Sequence, residues 1–111
     1  MNLGAILSTQ DMSKNASSSP TPGVTVSIDA TLGNLFLWTA GENETVNITA
    51  GQQAGRVITF MITNDAAPRT ITMGTGIVSS GVIIGTALKT AVAVFQSNGT
   101  NFLEVTRTLG L

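Results

Sequence analysis

The chain has 111 residues, 42% of them hydrophobic and only 10% charged, with a net charge of −1. A length of this order makes one domain, able to bury about two thirds of its unfolded surface. There is no cysteine and no histidine, which excludes disulfides, thiol chemistry, a Ser-His-Asp triad and the usual transition-metal ligands.

The charged fraction is far below the ~25% of an ordinary soluble domain, and the mean hydropathy is +0.34. Thr, Ser, Asn, Gly and apolar groups must therefore cover the surface. Such a surface is poorly guarded against association, so much of it is expected to be hidden in an assembly, with homo-oligomerisation as the simplest route. The five basic residues Lys14, Arg56, Arg69, Lys89 and Arg107 are scattered, and nucleic-acid binding would need them clustered. No apolar run approaches the ~18 residues that cross a bilayer as a helix, so no membrane partner is expected. The first eight residues lack the positive lead and sustained apolar core of a signal peptide, and the chain is expected to be made and used without Sec export.

Residues 1–22 read as an N-terminal arm. Leu3, Ile6, Leu7 and Met12 give it an apolar tip, which either frays in solvent, as termini do, or docks on a neighbouring subunit, the favoured reading. The Ser/Pro stretch Ala16–Gly23 cannot bury a core and reads as a linker. Residues 23–111 read as a β-domain. Val24, Val26 and Ile28 alternate with Thr25 and Ser27, and Gly33-Asn34 ends that unit. Leu35–Thr39, around Phe36 and Trp38, reads as a buried strand, with Trp38 in the core or a subunit interface rather than exposed to stack on a sugar. After Gly41-Glu42-Asn43, alternation resumes at Thr45–Thr49.

The stretch Gly55–Met73 carries the strongest period-2 signal. Arg56, Ile58, Phe60 and Ile62 share one face, and Val57, Thr59, Met61 and Thr63 the other. Asn64–Pro68 then breaks the run before Thr70–Met73 alternates again, which predicts a central antiparallel hairpin. Val82-Ile83-Ile84 predicts a short strand, and Thr90–Ser97 a longer one with Val92 and Val94 in the core. Asn98-Gly99 is the strongest hairpin signal, because both residues tolerate positive φ. Phe102–Arg107 predicts the last strand. The expected fold is all-β, a compact antiparallel β-sandwich, jelly-roll-like domain or barrel of about eight strands. Val82, Ile83, Ile84, Leu109 and Leu111 are the candidate oligomer interface.

No catalytic, cofactor or metal site is expected. Asp11, Asp29, Glu42, Glu44, Asp65 and Glu104 never pair at a motif spacing, and solvated loop acids describe them better than a general acid–base pair or a calcium site. The sequon-like triplets at Asn15, Asn43, Asn47 and Asn98 reflect turns and strands rich in Asn and Thr. Gly74-Thr75-Gly76 has no helix after it and is a turn, not a phosphate cradle.

Val24–Asn34, a glycine-led loop into Arg56–Ile62, the return strand Arg69–Thr72 and the ending Asn101–Leu109 together resemble a small β-domain of tailed-phage structural proteins. The resemblance spans roughly Val24 to Leu111, and the family often has an aromatic residue where Met73 and Leu103 stand. It implies a virion structural protein, usually trimeric, and no enzyme. The resemblance implies a capsid decoration (cement) protein on the outer head surface, with the major capsid protein and its own copies as partners, or else a tail-fibre module that binds a host glycan. The short arm favours the first.

Overall fold

The structure, a computed structural model, describes residues 16–111. They form strands and, among the described residues, no helix. One sheet has six strands in the order β1 (Ser17–Ser18), β3 (Leu35–Ala40), β5 (Val57–Asn64), β9 (Thr90–Ser97), β10 (Phe102–Thr108) and β7 (Ile77–Val78). The other has four: β2 (Thr25–Asp29), β4 (Glu44–Ala50), β6 (Thr70–Met73) and β8 (Ile83–Ile84).

From β1 to β6 the chain passes from one sheet to the other at every corner. Each strand therefore lies parallel to the strand two places earlier, β1–β3–β5 in one sheet and β2–β4–β6 in the other. The result is a β-solenoid-like stack of three rungs. It is closed by β9, antiparallel to β5, by β10, antiparallel to β9, and by β8, antiparallel to β6. The all-β expectation holds, but the antiparallel one does not: five of the eight pairings are parallel.

The predicted central hairpin is the clearest error. β5 and β6 lie in different sheets. The break after β5 sends the chain across the core because side chains fix a corner there. Asp65 N–H donates to Ala40 O on the rung below (3.1 Å), and the Asn64 amide oxygen accepts from Arg69 N–H (2.9 Å). Arg69 grips the Asp65 carboxylate with Nε and Nη2 at 2.9 and 2.8 Å. Asparagines also tie rung to rung elsewhere, Asn43 accepting from Thr70 N–H and Asn47 from Thr75 N–H, at 2.9 and 2.8 Å. The β9–β10 hairpin forms as expected, with Gly99 at φ 100° and Asn98 Oδ1 accepting from the Thr100 and Asn101 amides.

The inner faces of both sheets share one core. Val26, Ile28, Phe36, Ile58, Phe60, Ile62 and Ile71 are buried as expected, and Trp38 with them. Phe60 is its centre, with the rings of Phe36, Trp38 and Phe95 at centroid distances of 6.3, 5.5 and 4.8 Å. β9 has the opposite facing from the one predicted: Ala91, Ala93 and Phe95 are buried, while Val92 and Val94 are half-buried on the outside. Ala93 stands opposite Phe60, and only a small side chain leaves room beside that ring. A one-residue shift of a period-2 pattern inverts both faces. β3 is buried on one face only, Leu37 pointing outward.

The segment read as a linker also contributes structure. Ser17–Ser18 pairs with Leu35–Phe36, and Ala16 O accepts from Asn34 N–H at 2.9 Å. A Cβ on Gly33 would collide with that same carbonyl, so glycine is what lets β1 approach.

Candidate functional site

Alternation and register set the outer face of the six-stranded sheet. Adjacent rows across it are Leu37–Met61–Val92–Thr108 and Leu35–Thr59–Val94–Thr106. Val57 and Leu103 both flank Gln96 in the next row, with Val78 beyond Leu103. No charged residue occupies an outward position on this face among the described residues. Leu37 is 40% exposed and Met61 38%, so the centre is apolar and wet. A shallow groove of about 310 Å³ runs there past Ser19, Leu37, Met61, Thr63 and Thr90. The opposite outer face is different in kind. Thr25, Ser27, Thr45, Asn47, Thr49 and Thr72 coat the four-stranded sheet with hydroxyls and an amide.

The residues predicted as an oligomer interface divide. Val82, Ile84, Leu109 and Leu111 are exposed. Ile83 is not available: it is 1% exposed and pairs with Ile71 in the core. Within the two-residue β8 the side chains alternate, so only Ile84 faces out. Leu3, Ile6, Leu7 and Met12 lie outside the described residues.

Arg107 fixes the loop that carries Val82. Its Nε and Nη2 donate to the Glu104 carboxylate at 2.6 and 2.7 Å, and its Nη1 and Nη2 to Val82 O and Gly81 O, both at 2.8 Å. The Glu104 carboxyl is held below its ordinary range chiefly by the Arg107 hydrogen bond, and Arg107 is raised in turn. Asp65 is lowered in the same way by Arg69 and by the Ala67 amide. Of the carboxylates expected as solvated loop acids, Glu104 and Asp65 are therefore structural. Glu44, another of them, is buried in β4 and accepts from Trp38 Nε1–H at 2.8 Å and from Gly23 N–H at 3.3 Å. Trp38 is thereby tied inward and is not a platform for stacking a sugar. Among the described residues no three Asp or Glu side chains gather to hold a metal ion.

One concave site escaped the sequence reading. Two stacked corners, Ala30–Asn34 and Gln53–Val57, enclose a cleft of about 520 Å³. Arg56 forms part of its wall, its Nη1 donating to Ala30 O and Gly51 O at 3.2 and 3.1 Å. Those corners lie 26 residues apart in sequence, so no local motif could have announced the cleft.

Compared with protein-family models the chain matches none, and no curated protein resembles it significantly.

Proposed function

We propose that the protein is a structural subunit of a virion, a decoration (cement) protein that associates as a homotrimer on the outer surface of a phage head and bridges subunits of the major capsid protein. The observation that carries this reading is the uncharged outer face of the six-stranded sheet. A face centred on Leu37, Met61 and Val92 loses free energy to water, at roughly 25 cal/mol per Å² of apolar surface that a partner would cover. Because it bears no charge, covering it strands no ion in an apolar interface. Extended Thr and Ser side chains around it offer hydrogen bonds at the rim.

The test uses undecorated heads. Wild-type protein added back should remain with heads through sedimentation and raise their survival on heating. Met61→Glu places a carboxylate in the middle of the face and should abolish both effects while leaving the fold intact. The same variant run by light scattering reports on self-association. Protein that sediments with detached tails and never with heads would replace this reading with the alternative, a tail-appendage module that binds a host glycan.

A further inference from the structure

Among the described residues, three arginines are held by hydrogen bonds, and they use their guanidinium groups differently. Arg69 and Arg107 each present the Nε–Nη2 edge to a carboxylate of their own chain, Asp65 and Glu104. That edge is the geometry best matched to a carboxylate, two parallel N–H donors against two oxygens. Arg56 spends Nη1 on two carbonyls, which lock the group in place, and Nη2 reaches Gln53 Oε1 at a long 3.4 Å. Its Nε takes no partner among the described residues. Carbonyls immobilise a guanidinium without neutralising it, and Arg56 lines the cleft of about 520 Å³. Asp29, which interacts with Arg56 electrostatically, makes no ion pair with it among the described residues and accepts instead from the Thr31 amide and hydroxyl (2.9 and 2.5 Å).

We propose that this cleft binds a sugar acid, its carboxylate on the Nε–Nη2 edge of Arg56. The volume lies in the range of small-ligand sites, ~300–1,000 Å³. The remaining polar wall suits hydroxyls: the Asn34 carboxamide offers a donor and an acceptor, the Gln53 amide nitrogen donates, and the Thr31 oxygen, its proton given to Asp29, accepts. The proposal does not depend on whether the protein belongs to heads or tails, because the cleft is built from corners and shares only Val57 with the uncharged face.

The test is a titration of the full-length, ¹⁵N-labelled protein with D-galacturonate, D-galactose and N-acetylglutamate, read from amide shifts. Galacturonate should bind at least tenfold more tightly than galactose, with the largest shifts at Gly33, Asn34, Ala54 and Gly55. Arg56→Gln should weaken galacturonate at least tenfold and leave galactose unchanged. Arg56→Lys keeps the charge but loses the paired donors, and should fall between them. If the Gln variant unfolds, shift mapping on the wild type still decides. Equal binding of galactose and galacturonate, or shifts elsewhere on the domain, would overturn the proposal. N-acetylglutamate binding as tightly as galacturonate would overturn the sugar part and point to an acidic protein segment.

Discussion

Phe60→Ala tests the account of the core most directly. Phe60 is fully buried at the middle of β5 and touches the rings of Phe36, Trp38 and Phe95. Truncating a buried Phe costs ~3–5 kcal/mol, the lost transfer energy plus the cavity left behind. Three aromatic pairs, each contributing ~0.5–1.5 kcal/mol beyond area, place this site in the upper part of that range, about 4–5 kcal/mol. The cavity cannot collapse easily, because the wall beside it is the Ala93 strand, whose backbone is fixed by ladders to β5 and β10 on either side. Set against a whole-domain stability of ~5–15 kcal/mol, the loss brings the domain close to unfolding. At ~4 °C of midpoint per kcal/mol for a domain near this size, the thermal transition should drop by ~16–20 °C. Thr59→Ala, one residue away on the outer face, should change it by only a few degrees. The assay is paired thermal and urea denaturation followed by circular dichroism. Equal losses at Phe60 and Thr59 would mean that β5 is covered on both faces and would refute the one-sided core described above.

Glu44→Ala should leave the Trp38 indole N–H buried without an acceptor, at a cost of ~1–3 kcal/mol, read as a lower urea midpoint together with altered tryptophan fluorescence. Leu88 has φ 62° and is 72% exposed. Left-handed backbone costs a non-glycine residue ~1–2 kcal/mol and glycine entropy ~0.5–1 kcal/mol, so Leu88→Gly should be neutral to ~1.5 kcal/mol stabilising; a clear loss in thermal midpoint would show that the Leu88 side chain makes contacts worth keeping. Glu104 and Asp65 are lowered in the folded state by Arg107 and Arg69. Their contribution is therefore complete above the ordinary carboxylate range and lost as pH falls through the depressed folded values. Urea midpoints should fall between about pH 5 and pH 2, and Glu104→Gln should flatten part of that fall.

Much of the strand content was legible because a strand with one buried face writes a period of two into the sequence. The run Ile58, Phe60, Ile62 announced its inward side by composition, and Asn98-Gly99 announced its hairpin because a tight turn needs local positive φ. Trp38 could be placed inside for the same local reason, an aromatic residue at the centre of an apolar run. What the sequence could not determine is which strand each one meets. A break such as Asn64–Pro68 reverses the chain equally well within a sheet or across a core, and only the contact of Asp65 with Ala40 from the previous rung selects the crossing. Facing failed at β9 because alternating Ala and Val are both apolar; the ring of Phe60 decides that the smaller residue turns inward. Glu44 looked like a solvated acid because its partner is Trp38, met only once β3 and β4 lie in opposite sheets. The uncharged face and the Arg56 cleft belong to the same category. The sequence determined that charge would be scarce and that several strands would have an outer face of Thr, Val and Leu. Only the stacking of rungs set those faces side by side as one surface, and set two corners from distant parts of the chain around a single guanidinium.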